Sequence, residues 1–162
     1  MAERRASKTR LSWPLEQRPG YLIRRLHQIH VALFQENCAA FDVTPLQYSL
    51  LSALARRATA DQTTLAADVA LDRTTTTGAL KRLQARKLIE RTVLRRDRRA
   101  QICRLTKAGA RLLRLMEASA QVAHRETLAG LNMAEQKRFI VLMQRIVATR
   151  RRHARERTMP DG

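Results

Sequence analysis

The chain has 162 residues, enough for one domain with its own hydrophobic core. Its 32 Lys and Arg residues outnumber its 14 Asp and Glu residues, and the net charge of +18 predicts attraction to a polyanion, with nucleic acid favoured over an anionic membrane surface. The sequence contains neither an apolar run of about 18 residues nor a signal-peptide core, so we expect a cytoplasmic protein without a membrane-spanning helix.

The residue types favour a helical protein that is not an enzyme. Apolar residues make up 44% of the chain and aromatic residues only 4%, and Leu, Ala and Arg are abundant. Cys38 and Cys103 lie too far apart in sequence to indicate a disulfide framework or a four-cysteine zinc site. The sequence lacks a glycine-rich phosphate loop, a metalloprotease motif and a nucleophile signature, so we expect no catalysis, no cofactor and no metal.

Both ends of the chain are basic. Residues 1–18 have no sustained periodicity and predict a flexible basic arm, which either is a solvated tail or touches DNA. Residues 19–153 are predicted to form a single domain. Residues 154–162 are predicted to be a tail.

The first predicted helix runs from Tyr21 to about Cys38, with its apolar residues on one side. His30 and Asn37 fall inside this apolar arc and His27 lies at its edge, and an unpaired buried polar group costs ~1–3 kcal/mol. His30 is therefore either a core histidine bonded to a backbone carbonyl or, with His27 or Asn37, part of a cavity that orients an acidic ligand.

The second predicted helix begins at Pro45. Residues 44–47 read Thr-Pro-Leu-Gln, a capping box with proline at the first helical position. Arg56 and Arg57 end the helix. Tyr48 is placed to put its hydroxyl at the edge of the buried side.

The next segment predicts a helix-turn-helix. Asp61 is the expected N-cap of a short helix that reaches Val69, and Asp72 is the expected N-cap of the following helix. A joint of only Ala70 and Leu71 separates the two helices, and so tight a joint is typical of this motif.

The outward face of the helix after Asp72 predicts contact with DNA. Thr76, Leu80 and Leu83 form its buried side, and four consecutive threonines are a poor choice for helix stability because their branched side chains crowd the preceding turn. Short hydroxyls beside basic groups can bond phosphates and base edges in a major groove. The predicted DNA-contacting residues are Arg73, Thr74, Thr75, Thr77 and Lys81.

A basic hairpin is predicted to follow. Strands at 89–94 and 100–105 flank a tip with four arginines in five positions. All four arginines are predicted to contact DNA, namely Arg95, Arg96, Arg98 and Arg99. Arg98 is predicted to enter the minor groove. Asp97, the one acid at the tip, is expected to pair with Arg99 or Arg95 and to hold the tip in shape.

Two further helices end the predicted domain. Thr106 caps a helix that reaches about Leu128, and residues 132–135 form a capping box that opens a helix carrying Phe139 and Ile140. These helices are more apolar than a lobe of this size requires. We therefore predict a homodimer, with residues 19–42 and 107–153 as the dimerisation helices.

The sequence resembles the winged helix-turn-helix of the MarR family of bacterial transcriptional regulators. The matching segments are Leu65-Ala66, residues 71–75, Leu83, Leu88-Ile89, residues 97–99 and residues 105–109. Residues 19–26 and 44–48 also resemble the starts of the first two helices in members that respond to aromatic acids. The resemblance covers residues 19 to about 150.

The resemblance implies a mainly α fold with a small β wing and a helical dimerisation lobe. It further implies a dimeric repressor that binds a pseudo-palindromic operator on double-stranded DNA and controls genes of aromatic-compound catabolism or efflux. A small aromatic carboxylate would release it. The predicted ligand residues are polar groups on or beside the apolar faces of the first two helices, namely His30, Tyr48, His27 and Asn37, and either Arg24 or Arg25 is close enough in sequence to bind the carboxylate.

Three other interpretations use the same residues. Peroxide-sensing relatives use a cysteine on the first helix, which makes a redox sensor through Cys38 the main alternative. Zinc sensing through His27, His30 and His124 lacks a complete ligand set. A nonspecific basic protein would leave the capped, threonine-rich helix unexplained.

Overall fold

The computed structural model describes residues 13–94 and 97–156, and the side chains of residues 13–93 and 101–149. The first twelve residues of the predicted arm, Arg95 and Arg96 of the predicted wing, and the tail from residue 157 lie outside the described residues.

The described residues form helices with one small antiparallel sheet. The helices are α1 (Pro19–Asn37), α2 (Pro45–Arg57), α3 (Gln62–Asp68), α4 (Arg73–Ala85), α5 (Lys107–Thr127) and α6 (Met133–Glu156). The strands are β1 (Thr59–Asp61), β2 (Ile89–Leu94) and β3 (Asp97–Leu105), in the sheet order β1-β3-β2. The predicted fold class, mainly α with a small β wing, is confirmed.

Three local details differ from the predictions. β1 was not predicted, and it pairs through Ala60 with Cys103 of β3. β3 begins at Asp97 rather than at residue 100. The joint of the helix-turn-helix is longer than predicted, because α3 ends at Asp68 and α4 begins at Arg73.

The predicted helix caps are confirmed. Thr44 Oγ1 accepts the backbone N–H of Gln47 at 3.2 Å, while the Gln47 side chain accepts the backbone N–H of Thr44 at 3.0 Å. The carboxylate or amide oxygens of the other caps accept in the same way: Asp61 from Thr64 N–H at 2.9 Å, Asp72 from Thr75 N–H at 2.8 Å, and Asn132 from Glu135 N–H at 3.1 Å. These bonds satisfy N–H groups that the first turn of a helix leaves unpaired.

The chain divides into two compact units, which meet in sequence after His124. The first unit contains two clusters of buried side chains. One lies beneath the helix-turn-helix and includes Leu50, Leu54, Leu65, Leu80, Leu83 and Ile89. The other contains Phe34, Cys38, Val43, Met116, Ala120 and Ala123.

Part of the apolar side of α1 is exposed in the single chain. Leu22, Ile23 and Ile29 are 50%, 68% and 45% exposed in the single chain. The apolar residues of α1 that pack with other elements, Leu33 and Phe34, lie in its C-terminal half. The exposed apolar residues lie in the segment 19–42 that is predicted to be a dimerisation helix, and that assignment stays a prediction.

The second unit consists mainly of α6, which also carries exposed apolar residues. Ile140, Met143, Ile146 and Val147 are between 37% and 67% exposed. Among the helices in the described ranges, none has the length and apolar content that a membrane crossing requires.

Candidate nucleic-acid interface and effector site

A tight turn sets α4 against α3. Ala70 has φ 56°, in the left-handed region that alanine rarely adopts, and the N–H of Leu71 bonds the carbonyl of Ala66 at 3.0 Å. Asp72 then caps α4 in an extended conformation. The reversal of the chain therefore depends on one strained residue followed at once by a strong helix start.

The buried side of α4 fixes which residues face outward. Thr76, Ala79, Leu80 and Leu83 are fully buried in the core beneath the helix-turn-helix. On the opposite face, Arg73, Thr74, Thr75 and Lys81 are exposed, and Thr77 and Gly78 are half-buried. The residues that the sequence predicted to contact DNA thus share one accessible face.

Two of the threonine hydroxyls on this face already donate within the protein. Thr75 Oγ1 donates to the Asp72 carboxylate at 2.7 Å, and Thr77 Oγ1 donates to the carbonyl of Arg73 at 2.6 Å. The hydrogen bonds from the Thr75 side chain and backbone lower the pKa of Asp72. The hydroxyl protons of Thr75 and Thr77 are therefore engaged within the protein, so toward DNA these hydroxyls can only accept. Thr74 is exposed and makes no such side-chain bond to the start of its helix.

Gln62, at the first position of α3, contacts both α4 and β2. Its Nε2 group donates to Thr77 Oγ1 and, at 3.4 Å, to the carbonyl of Arg73. Its Oε1 accepts from Arg91 Nη2 at 3.4 Å. Gln62 was not among the predicted site residues, because no local sequence pattern connects positions 62, 77 and 91.

The hairpin of β2 and β3 forms the wing. Its pairing runs from Ile89 opposite Leu105 to Leu94 opposite Asp97, with an irregularity between Val93 and Leu94. The side chains of Asp97, Arg98 and Arg99 lie outside the described part of the chain, as do Arg95 and Arg96 entirely. The predicted roles of these five residues therefore stay predictions.

A second group of polar side chains lies on α1, α2 and α5, away from α4. The imidazole rings of His30 and His124 stack at 5.1 Å between centroids with an interplanar angle of 9°. The Phe34 ring lies 6.2 Å from His30 and 5.4 Å from Tyr48, and Tyr48 lies 6.5 Å from His124. These four rings, His30, Phe34, Tyr48 and His124, are called the ring cluster below.

A carboxylate borders the ring cluster. Tyr48 Oη donates to Glu117 Oε2 at 3.3 Å, and Glu117 Oε1 accepts from Gln121 at 2.9 Å. Burial, and then the charge of Glu117, raises the pKa of Tyr48. Burial, and then the charges of His124 and His27, lowers the pKa of His30. Near neutral pH the site thus offers a neutral imidazole and a neutral phenol beside a carboxylate.

The other predicted ligand residues lie at the margin of this site. His27 is exposed, and its charge contributes to the lowered pKa of His30. Asn37 Nδ2 bonds the carbonyl of Leu33 in its own helix at 2.9 Å. Arg25 is exposed and donates to Gln28 at 3.3 Å.

The structure adds to the site His124 and Glu117, which were not among the predicted ligand residues. They are seven residues apart, about two helical turns, and so lie on one face of α5. Met116, Ala120 and Ala123 mark the buried side next to that face. The periodicity of α5 could have indicated the face, but its opposition to His30 and Tyr48 depends on the tertiary fold.

Both cysteines are buried free thiols in separate clusters. Burial raises the pKa of Cys38, and burial also raises that of Cys103 against an opposing effect of Arg91. A raised pKa suppresses the thiolate on which peroxide chemistry depends. Among the described residues, no group of three or more His, Cys, Asp or Glu side chains is placed to hold a metal ion.

Comparison with known proteins identifies relatives over most of the chain. Residues 41–100 match the model of the MarR family. The HTH-type transcriptional repressor NicR of Pseudomonas putida is 31% identical over 143 residues, which cover 84% of this chain and 90% of NicR.

Solved structures superpose over a similar length. Bordetella bronchiseptica BpsR, whose DNA binding is regulated by 6-hydroxynicotinic acid, is 32% identical, with a TM-score of 0.75 over 79% of this chain and 97% of that one. Streptomyces coelicolor PcaV in complex with its natural ligand is 31% identical, with a TM-score of 0.74 over 86% of this chain and 98% of that one.

Proposed function

The chain belongs to the MarR family of transcriptional regulators, which bind DNA and are not enzymes, and we propose that it is a dimeric, operator-specific repressor released by a hydroxylated aromatic carboxylate. Its target genes would serve aromatic-compound breakdown or efflux. The observation that carries the ligand proposal is the ring cluster, which combines an apolar aromatic wall with neutral donors and a bordering carboxylate.

In the proposed DNA complex, α4 enters the major groove. Arg73, Thr74 and Lys81 make direct contacts there, and the hydroxyl of Thr75 accepts from the DNA, while Thr77 contributes through the position of the helix. The wing arginines Arg95, Arg96, Arg98 and Arg99 flank the minor groove, with Asp97 holding the tip. The exposure of the outer face of α4 and the net charge of +18 support this arrangement.

A matched pair of lysines tests the proposed face. Selection from random duplexes would first give the operator, and Lys81→Ala would then be compared with Lys137→Ala on α6, since both lysines are exposed and both changes remove one positive charge. We expect only Lys81→Ala to weaken operator binding. A base contact would cost ~1–3 kcal/mol of binding free energy, and a phosphate contact would lower the salt dependence of binding by about one unit of slope. Equal effects of the two variants would remove α4 from the interface.

The dimer proposal concerns the exposed apolar residues of α6. Ile140, Met143 and Val147 line an open groove of about 400 Å³, and Ile146 beside it is 67% exposed. A second copy of the chain would cover this surface, and two-fold symmetry would place two α4 helices about 34 Å apart, one turn of DNA.

Sedimentation of two charge variants tests the dimer. Ile146→Asp should give a monomer that binds the operator weakly, because it would bury a carboxylate in an apolar interface. Arg145→Asp, which introduces the same side chain at an exposed position of α6 away from the groove, should remain dimeric. A dimeric Ile146→Asp would place the interface elsewhere.

The charges around the ring cluster indicate how the ligand would be oriented. Glu117 repels a carboxylate, so the acid group of the ligand would lie toward His30, with His27, Asn37 and Arg25 at the margin. A ring hydroxyl would instead reach Tyr48 and Glu117, which can accept its proton. Hydroxylated aromatic acids thus fit both ends of the site, and 6-hydroxynicotinic acid, which regulates BpsR, has this pattern.

A pair of related acids tests the ligand orientation. We expect 6-hydroxynicotinate to raise the melting temperature more than nicotinate does, and Glu117→Gln to reduce the difference between them. Gln35→Ala on the exposed face of α1 is the control for a neutral surface change. Equal effects of the two acids on the wild type would refute the role of Glu117 in recognition.

The ligand would act by stabilising a spacing of the two α4 helices that does not match successive major grooves. It can shift this equilibrium only by its difference in affinity for the two states. Couplings of ~1–3 kcal/mol would weaken operator binding by roughly 5–150-fold.

The redox alternative through Cys38 gains no support from the raised pKa of that buried thiol.

A further inference from the structure

We propose that Gln62 is a positioning residue that fixes the recognition helix α4 relative to the wing, so that Thr77 acts as its anchor and not as an independent base contact. This inference rests on the proposed DNA-binding function. The side-chain amide of Gln62 is the feature that joins the two DNA-facing elements.

The Gln62 amide uses both of its ends. Its nitrogen donates to Thr77 Oγ1 and to the carbonyl of Arg73, one turn earlier in α4. Its oxygen accepts from the guanidinium of Arg91 on β2. A primary amide can donate and accept at the same time, and a side chain with only one of these capacities could not bridge the two partners.

Thr77 is fixed from both sides. Its hydroxyl gives its proton to the carbonyl of Arg73 and accepts from Gln62, so one lone pair remains. The half-buried position of Thr77 contrasts with the exposed positions of Thr74 and Lys81. Its hydroxyl is therefore better placed to hold α4 than to read a base.

Arg91 lies at the wing end of this bridge. Its Nε atom is buried without a hydrogen-bond partner, and its guanidinium lies close enough to Cys103 to oppose the effect of burial on the pKa of that thiol. An unpaired buried donor costs ~1–3 kcal/mol. Another nitrogen of the same guanidinium donates to Gln62. The hydrogen bonds of Gln62 therefore link β2 to α4.

The relative position of α4 and the wing matters because both must reach their grooves at once. Specific binding requires side chains to contact base edges at defined positions, whereas nonspecific binding depends mainly on the attraction between basic side chains and phosphates. Loss of the bridge should therefore reduce specificity and spare nonspecific affinity.

A double-mutant cycle tests the bridge. Gln62→Met removes both hydrogen-bonding groups at nearly constant length, and Thr77→Val removes the hydroxyl at nearly constant shape. Each variant and the double variant would be titrated with the selected operator and with a random duplex of equal length. Gln35→Met on α1 is the matched control.

We expect each single change to lower the ratio of operator to random affinity about three- to tenfold, the effect of one net hydrogen bond. The double variant should lose no more than the larger single loss, because both changes break the same contact. The salt slope should stay at the wild-type value, and the melting temperature should fall only by the roughly 2–4 °C that a loss of about 1 kcal/mol causes in a chain of this size. Losses that multiply would make Gln62 and Thr77 independent DNA contacts, and equal losses on both duplexes with a larger fall in melting temperature would reduce Gln62 to a folding role.

The free protein provides a second measurement that does not depend on DNA. Thr77→Val should shift the side-chain amide resonance of Gln62 in a ¹⁵N spectrum and speed its hydrogen exchange, and an unchanged resonance would overturn the bridge. If the wild type selects no operator, the proposed function fails, and this spectrum decides separately whether the bridge exists.

Discussion

Replacing Gly109 by alanine should destabilise the first unit, because the new Cβ would collide with backbone. An ideal Cβ at Gly109 would lie 2.0 Å from the carbonyl oxygen of Leu88 and 3.0 Å from its carbonyl carbon. That oxygen is held in place by the N–H of Thr106 at 3.1 Å and by Thr106 Oγ1 at 3.2 Å. Neither side of the contact can move without disturbing the start of α5 or the segment after α4.

The size of the effect follows from two opposing terms. Overpacking costs ~1–3 kcal/mol, and the upper end applies because the obstacle is backbone. Alanine regains ~1 kcal/mol as the better helix former. The net loss of about 2 kcal/mol should lower the melting temperature by roughly 4–8 °C.

Gly78→Ala provides the matched control in α4. A Cβ there would meet only the flexible end of Arg82, at 3.5 Å. The same substitution should therefore increase the free energy of unfolding by the ~0.5–1 kcal/mol that separates glycine from alanine inside a helix, and so raise the melting temperature. Thermal unfolding by circular dichroism measures both variants. A Gly109→Ala protein as stable as the wild type would refute the packing argument.

Three further predictions concern pH and salt. The lowered pKa of His30 means that the unfolded state binds its proton more readily, so stability should fall as the pH drops below about 6.5, and His30→Phe should flatten this dependence in melting curves. Hydrogen bonds from Thr64 and Thr75 lower the pKa values of Asp61 and Asp72, respectively. The stabilisation from these two carboxylates is therefore present above about pH 4 and is lost as the pH falls through their folded pKa values. Converting both to Asn should flatten the fall of the melting temperature in acid. Arg98→Ala should lower the salt slope of DNA binding by about one, and an unchanged slope and affinity would remove the wing tip from the interface.

Local signals predicted the helices well. The caps at Thr44, Asp61, Asp72 and Asn132 depend on bonds within three residues, and all four form as the sequence indicated. β1 escaped prediction because it is only three residues long and is defined by its pairing with the distant β3.

The candidate site was predictable only in part, for a related reason. His30 and Tyr48 were recognisable as polar residues on or beside apolar helix faces, and the structure brings both into the ring cluster. His124 and Glu117 become part of the site only when α5 packs against α1 and α2. Gln62 likewise gains its role from partners 11 to 29 residues away in sequence.

The most direct test of the central claim is a titration of the selected operator with and without saturating 6-hydroxynicotinate, for the wild type and for His30→Ala. The proposed release predicts a roughly 5–150-fold loss of wild-type operator affinity in the presence of the acid. His30→Ala should bind the operator normally and should not respond to the acid. Equal wild-type affinities with and without the acid would contradict release by this ligand, and an unchanged response in His30→Ala would place the ligand outside the ring cluster.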